Sequence, residues 1–159
     1  MEELAPLVKE IDMHKLLTLA TIAIFALIAA VHLYWAMGGR LGMGAAIPSV
    51  GGAPVLSPSA GMTVLVALAL FAAAALVATT GGALPLPLPR RLTDILAILL
   101  GLVMVARAIG DFRLLGFFKT RGDGPFATLD SWIYSPLCLL LGTAIFAILW
   151  FRPSPGDLP

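Results

Sequence analysis

Arg107 and Asp111 stand four residues apart near the end of an apolar run, a spacing that puts both on one helix face and lets them pair. Asp130, Tyr134 and Cys138 repeat the same interval in a second apolar run, and His32, Tyr34 and Trp35 close a third. A guanidinium suits an anionic group, an imidazole with an ordinary pKa near 6.5 suits proton transfer, and phenol and indole rings suit hydrogen bonding and stacking. A charge at membrane depth costs roughly 2.5–3.5 kcal/mol on insertion scales. Arg107 is therefore expected to turn into the protein and meet Asp111 or Asp130. The candidate ligand contacts are His32, Tyr34, Trp35, Arg107, Asp111, Arg113, Asp130 and Tyr134.

Each has a plainer use. Arg107 and Asp111 would also serve as a clasp that pins loops. Tyr34 and Trp35 would serve as anchors in the aromatic belt of the membrane–water boundary. His32 would equally make a structural hydrogen bond, and Cys138 reads best as a small packing residue. Other chemistry is missing from the sequence: it holds no phosphate loop, no CxxC, no cluster of metal ligands and no evident nucleophile–base pair. One cysteine excludes an internal disulfide and a cysteine-based zinc site. His14 and His32 fall at opposite ends of one apolar run, so they cannot serve one haem in a monomer. No metal and no cofactor is expected.

The elements that carry these residues are set by composition. The 159 residues are 60% hydrophobic and 12% charged, with a mean hydropathy of +1.00. Soluble domains run near 25% charged, and a soluble fold of this size leaves too much surface exposed to hide so much apolar area. The bilayer must be the solvent. A net charge of +1 gives no basic face for nucleic acid. The expected fold is an all-α polytopic membrane protein, an antiparallel bundle of four transmembrane helices. It is a single domain over 16–151, with spans at about 16–37, 62–80, 92–110 and 131–151. Each span is long enough for about 30 Å of hydrocarbon at about 1.5 Å per residue. Residues 1–15 read as an interfacial segment and 152–159 as a tail. The acidic start, with Glu2 and Glu3, is unlike a secretory signal.

Between the spans, 38–61 is rich in Gly, Pro and Ser with Arg40 as its one charge, too apolar for a solvated loop, and it should fold over one end of the bundle. Pro85, Pro87 and Pro89 stiffen the second connection. Thr93 is the expected N-cap of the third span, with Asp94 in its first turn. Pro136 sits either at the first position of the fourth span or inside an earlier start. Because spans alternate in direction, all the candidate residues and both long loops gather at one membrane face. No span carries a mid-membrane acid, which argues against a proton-coupled pump. Lys and Arg number five on the N-terminal side and four on the other, a slight bias to both ends inside.

Several stretches together carry a resemblance: His32-Leu33-Tyr34-Trp35 before Gly38-Gly39, Arg107 to Arg113 with Gly110-Asp111 between, Gly116-Phe117-Phe118-Lys119, and Asp130 with Tyr134-Ser135-Pro136-Leu137-Cys138. The chain resembles, over about residues 16–151, a family of small bacterial four-span membrane proteins catalogued as a domain of unknown function. The resemblance implies four spans in a bacterial inner membrane and adds no reaction.

Three functional expectations follow. The first is a protein that binds a small ligand or a lipid at the polar face, whether or not it transforms it, with Arg107 on an anionic group, His32 and Tyr134 in hydrogen bonding, Trp35 stacking and 38–61 as roof. The second is an accessory subunit or assembly factor of a larger membrane complex, docking a membrane-protein partner through small residues such as Phe71–Ala75, Ser135, Cys138 and Gly142. The third is a small oligomeric transporter or channel.

Overall fold

The computed structural model describes residues 13–152. Most of the expected interfacial segment and the tail past Arg152 lie outside the described residues. The elements are α1 (Met13–Ala36), α2 (Met43–Ala46), β1 (Ser49–Val50), β2 (Ala53–Pro54), α3 (Ala60–Thr80), α4 (Arg90–Ile109), α5 (Gly124–Leu129), a π turn (Asp130–Tyr134) and α6 (Ser135–Trp150). Four stretches are long and apolar enough to cross a membrane: α1, α3, α4 and the continuous unit Gly124–Trp150. The chain is an all-α four-helix membrane bundle, with a two-residue antiparallel hairpin as its only sheet among the described residues.

Large apolar side chains point outward, as lipid allows: Leu27 and Leu65 are each 67% exposed. Small ones point inward: Ala29, Ala67 and Ala97 are fully buried, Ala97 in one cluster with Phe25, Val77, Leu141, Ile145 and Ile148. Small inward residues let backbones approach, which is what holds helices together where lipid offers no hydrophobic drive. Helices α4 and α6 approach closely at Gly142. A Cβ on Gly142 would lie 2.9 Å from Val105 Cγ2 and 3.0 Å from the Gly101 carbonyl oxygen. Ser135 and Gly142, expected on a partner-facing stripe, are thus buried inside the bundle, as are Ala73 and Ala74 of α3. Threonine hydroxyls in the spans are satisfied by their own helices, as with Thr21 donating to the Leu17 carbonyl and Thr80 to that of Leu76, each at 2.8 Å.

Helix α1 packs most extensively on α3, and α4 on α6. The two pairs meet along α3–α4 and, to a similar extent, along α1–α6. Two starts differ from the sequence expectation. Pro89, whose fixed φ and missing N–H suit a helix entry, begins α4 at Arg90, so Thr93 is no cap. Its hydroxyl donates instead to the Arg90 carbonyl at 2.8 Å. The fourth span starts earlier, at Gly124, with Pro125 in its first turn and Pro136 in its interior. A proline ring clashes with the carbonyl four residues back. The π turn widens the helix where that clash would fall, and the Ser135 N–H reaches the Asp130 carbonyl.

Candidate functional site

The π turn re-phases the helix. Asp130 and Ser135, five apart, now share the buried face, and both are 0% exposed. Tyr134 lies beside that face with its ring tilted on Phe126 at 6.0 Å. A buried carboxylate must be paired and hydrogen-bonded. Asp130 accepts from Arg107 Nη2 at 2.7 Å through Oδ1, and from the Gly116 N–H at 2.7 Å and Lys119 Nζ at 3.2 Å through Oδ2. Lys119 also donates to the Gly116 carbonyl at 3.2 Å and to Ser131 Oγ at 2.6 Å. Two donors find nothing: Arg107 Nη1 and the Ser135 hydroxyl are buried without a partner. Both belong to residues that bond Asp130, so the site holds two cations, one carboxylate and two unused donors.

The backbone of 110–117 makes this geometry. Gly110 ends α4 at φ 92° and Gly116 stands at φ 86°, conformations open to glycine. A Cβ on either would collide with the other's backbone neighbourhood, at Leu115 O and Ile109 O respectively. This close crossing folds the loop back on α4, where the Phe117 N–H donates to the Ala108 carbonyl at 2.8 Å and the Gly116 N–H faces Asp130.

Asp111 plays a different part from the one its spacing suggests. Because α4 stops at Ile109, Asp111 leaves the helix face and does not pair with Arg107. Its Oδ1 accepts the N–H groups of Arg113, Leu114 and Leu115 at 2.7–2.9 Å. The Leu115 amide above all, then Arg113 and Leu114, holds this exposed carboxyl below the usual carboxylate range. Arg113 enters through its main chain, its carbonyl accepting from the Arg121 N–H at 2.7 Å.

His32, Tyr34 and Trp35 form a second group around the chain that leaves α1. His32 Nδ1 bonds the Ile28 carbonyl at 2.8 Å and its ring meets Trp35 edge-on at 5.0 Å. Trp35 Nε1 donates to the Leu41 carbonyl at 2.8 Å, and Tyr34 OH accepts from the Leu41 N–H at 3.4 Å. Among the described residues, no hydrogen bond or ion pair joins this group to Arg107 or Asp130. The 38–61 segment folds over this end of the bundle. Tyr134 OH donates to the Ala45 carbonyl at 3.1 Å, and Ser49 Oγ and the Gly52 N–H bond the Asp123 carboxylate at 2.8 and 3.2 Å. The Ser49 hydroxyl keeps the Asp123 carboxyl below its ordinary range.

Sequence reasoning missed Lys119, Gly116 and Ser135 as members of the Asp130 site. A lysine directly after an apolar stretch in a loop is the signal that points to the first. It also missed polar chemistry at the opposite end. There Arg152 Nη2 pairs with Asp94 Oδ1 at 2.6 Å and Nη1 reaches the Thr80 carbonyl at 3.4 Å. His14 Nε2 lies 3.2 Å from the Ile148 carbonyl. Asp94 thus serves an ion pair rather than the helix end alone. The described residues hold no cluster of three or more His, Cys, Asp or Glu fit for a metal ion.

No curated protein and no solved structure matches the chain. Residues 25–145, which contain both polar groups at the loop-covered end, match the family described as protein of unknown function (DUF3995), and the chain belongs to that family.

Proposed function

We propose that the protein binds an anionic small molecule or lipid headgroup at the loop-covered end, with Arg107 as its chief contact. The observation that carries this reading is the pair of buried, unpartnered donors beside Asp130, Arg107 Nη1 and Ser135 Oγ. Buried donors without partners are rare and costly, so a ligand that accepts from both would recover that cost. With Lys119 and Arg107 against one carboxylate, the site keeps one positive charge for it. His32, Tyr34, Trp35 and Tyr134 then act at one remove, fixing the covering segment at Leu41 and Ala45. Of the small-residue stripe that an accessory subunit would use, Ala73, Ala74, Ser135 and Gly142 pack inside the bundle, while Phe71 and Ala72 stay exposed.

Arg107→Lys tests this better than removal of the charge, because a lysine still neutralises Asp130 while Nη1 is lost. Native mass spectrometry of protein extracted gently from its own membrane should show a stoichiometric bound mass that Arg107→Lys loses, with a melting temperature within a few degrees of the parent. An unchanged bound mass in the variant would sink the reading.

We further propose that the protein sits in a bacterial cytoplasmic membrane with Met13 of α1 and Trp150 of α6 on the inner side. The lysine and arginine excess there supports it. In a Cys138→Ala background, a single cysteine at Val55 should label from outside intact cells and one at Leu86 should not. The reverse pattern would invert the orientation.

A further inference from the structure

The seam between α3 and α4 carries an apolar cleft of about 460 Å³, lined by Ala69, Ala72 and Leu76 of α3 and by Leu96 and Leu100 of α4. From Ala69 to Thr79 the cleft runs ten residues of helix, about 15 Å at 1.5 Å per residue. That is half of a hydrocarbon core about 30 Å thick, the depth of one leaflet. At the membrane surface the cleft continues, through the shared residues Thr79, Leu86 and Leu88, into a second cavity of about 320 Å³ bordered by Arg90 and Arg152.

This second cavity is electropositive. Asp94 pairs with Arg152 at 2.6 Å, and Arg90 remains as an exposed cation on the same wall. Arg152 Nε is buried with no partner in the protein. An acyl-length slot in the leaflet that opens into a basic chamber with an unused guanidinium donor matches an anionic phospholipid, tail below and phosphate above. We propose that the α3–α4 cleft holds one such lipid, its phosphate on Arg90 and Arg152 and one chain along Ala69–Leu76. This site lies at the end of the bundle opposite Arg107 and stands whether or not the Arg107 site binds anything.

The test uses the full chain, delipidated in mild detergent and offered phosphatidylglycerol or phosphatidylcholine with identical chains. Native mass spectrometry should show one phosphatidylglycerol retained under activation that strips phosphatidylcholine. Arg90→Gln should lower retained phosphatidylglycerol about tenfold, the scale of one charge-assisted hydrogen bond, and leave phosphatidylcholine unchanged. Ala72→Phe, at an exposed position facing the cleft, should reduce both lipids. Equal retention of the two lipids by the parent protein overturns the headgroup assignment. Unaltered retention in both variants overturns the site. A lipid held at the Arg107 end would survive both Arg90→Gln and Ala72→Phe and be lost in Arg107→Lys, so the two sites are read apart.

Discussion

Asp130→Ala is expected to cost about 3–5 kcal/mol, the scale on which buried charge pairs fail when one partner is removed. Three donors converge on this carboxylate, and its loss strands all of them: the Arg107 guanidinium, the Lys119 ammonium and the Gly116 amide. Membrane depth raises the stakes, because no water stands ready to replace the lost acceptor. The melting temperature of purified protein in mild detergent, followed by fluorescence-detected gel filtration, should fall sharply. Asp130→Asn keeps an acceptor but not the charge and should fall between. The double variant Arg107→Met with Asp130→Leu should recover part of the loss, since it removes the uncompensated charge along with the pair. A stable Asp130→Ala protein would show that the network is not what holds the 110–117 loop against α4.

Gly142→Leu should be nearly as damaging. Here the cost is steric: the new side chain would meet Val105, Met104 and the Gly101 carbonyl of α4. Overpacking a well-filled core costs typically about 1–3 kcal/mol, and a backbone atom in the way pushes toward the upper end because it cannot rotate aside. Leu140→Phe, two residues away and turned to lipid at 64% exposure, is the control and should stay within about 0.5 kcal/mol. Thermal melts of the two variants in the same detergent separate the cases. Similar melting temperatures would mean that α4 and α6 part easily.

The fold was legible because hydrophobicity in runs of this length has one physical use, and because Gly and Pro interrupt the runs where helices must stop. The gathering of polar residues at one end was legible from alternation of direction alone. Pairing was legible only to a short list. Spacing offered Asp111 and Asp130 to Arg107 on equal terms, and the choice fell to Gly110, whose positive φ takes Asp111 off the helix. Pro136 admitted two readings, and only the backbone reveals the π turn that turns Asp130 and Ser135 to one face. His32 and Trp35 bond main-chain groups nearby, within α1 and at Leu41, rather than Arg107, and no spacing in the sequence announces those partners. The Arg152–Asp94 pair joins residues 58 apart in sequence, and it needs the adjacency of α4 and α6, which no local pattern carries.

Both rims of the bundle are laced by polar contacts that cross between helix pairs. At one rim Tyr134 holds Ala45 and Asp123 holds Ser49, and at the other Arg152 reaches Thr80 and His14 reaches Ile148. The α3–α4 seam, by contrast, is open along its flank. Traffic to that seam is therefore two-dimensional: a visitor arrives by lateral diffusion in the leaflet, and its occupancy follows mole fraction in the bilayer rather than concentration in the surrounding water.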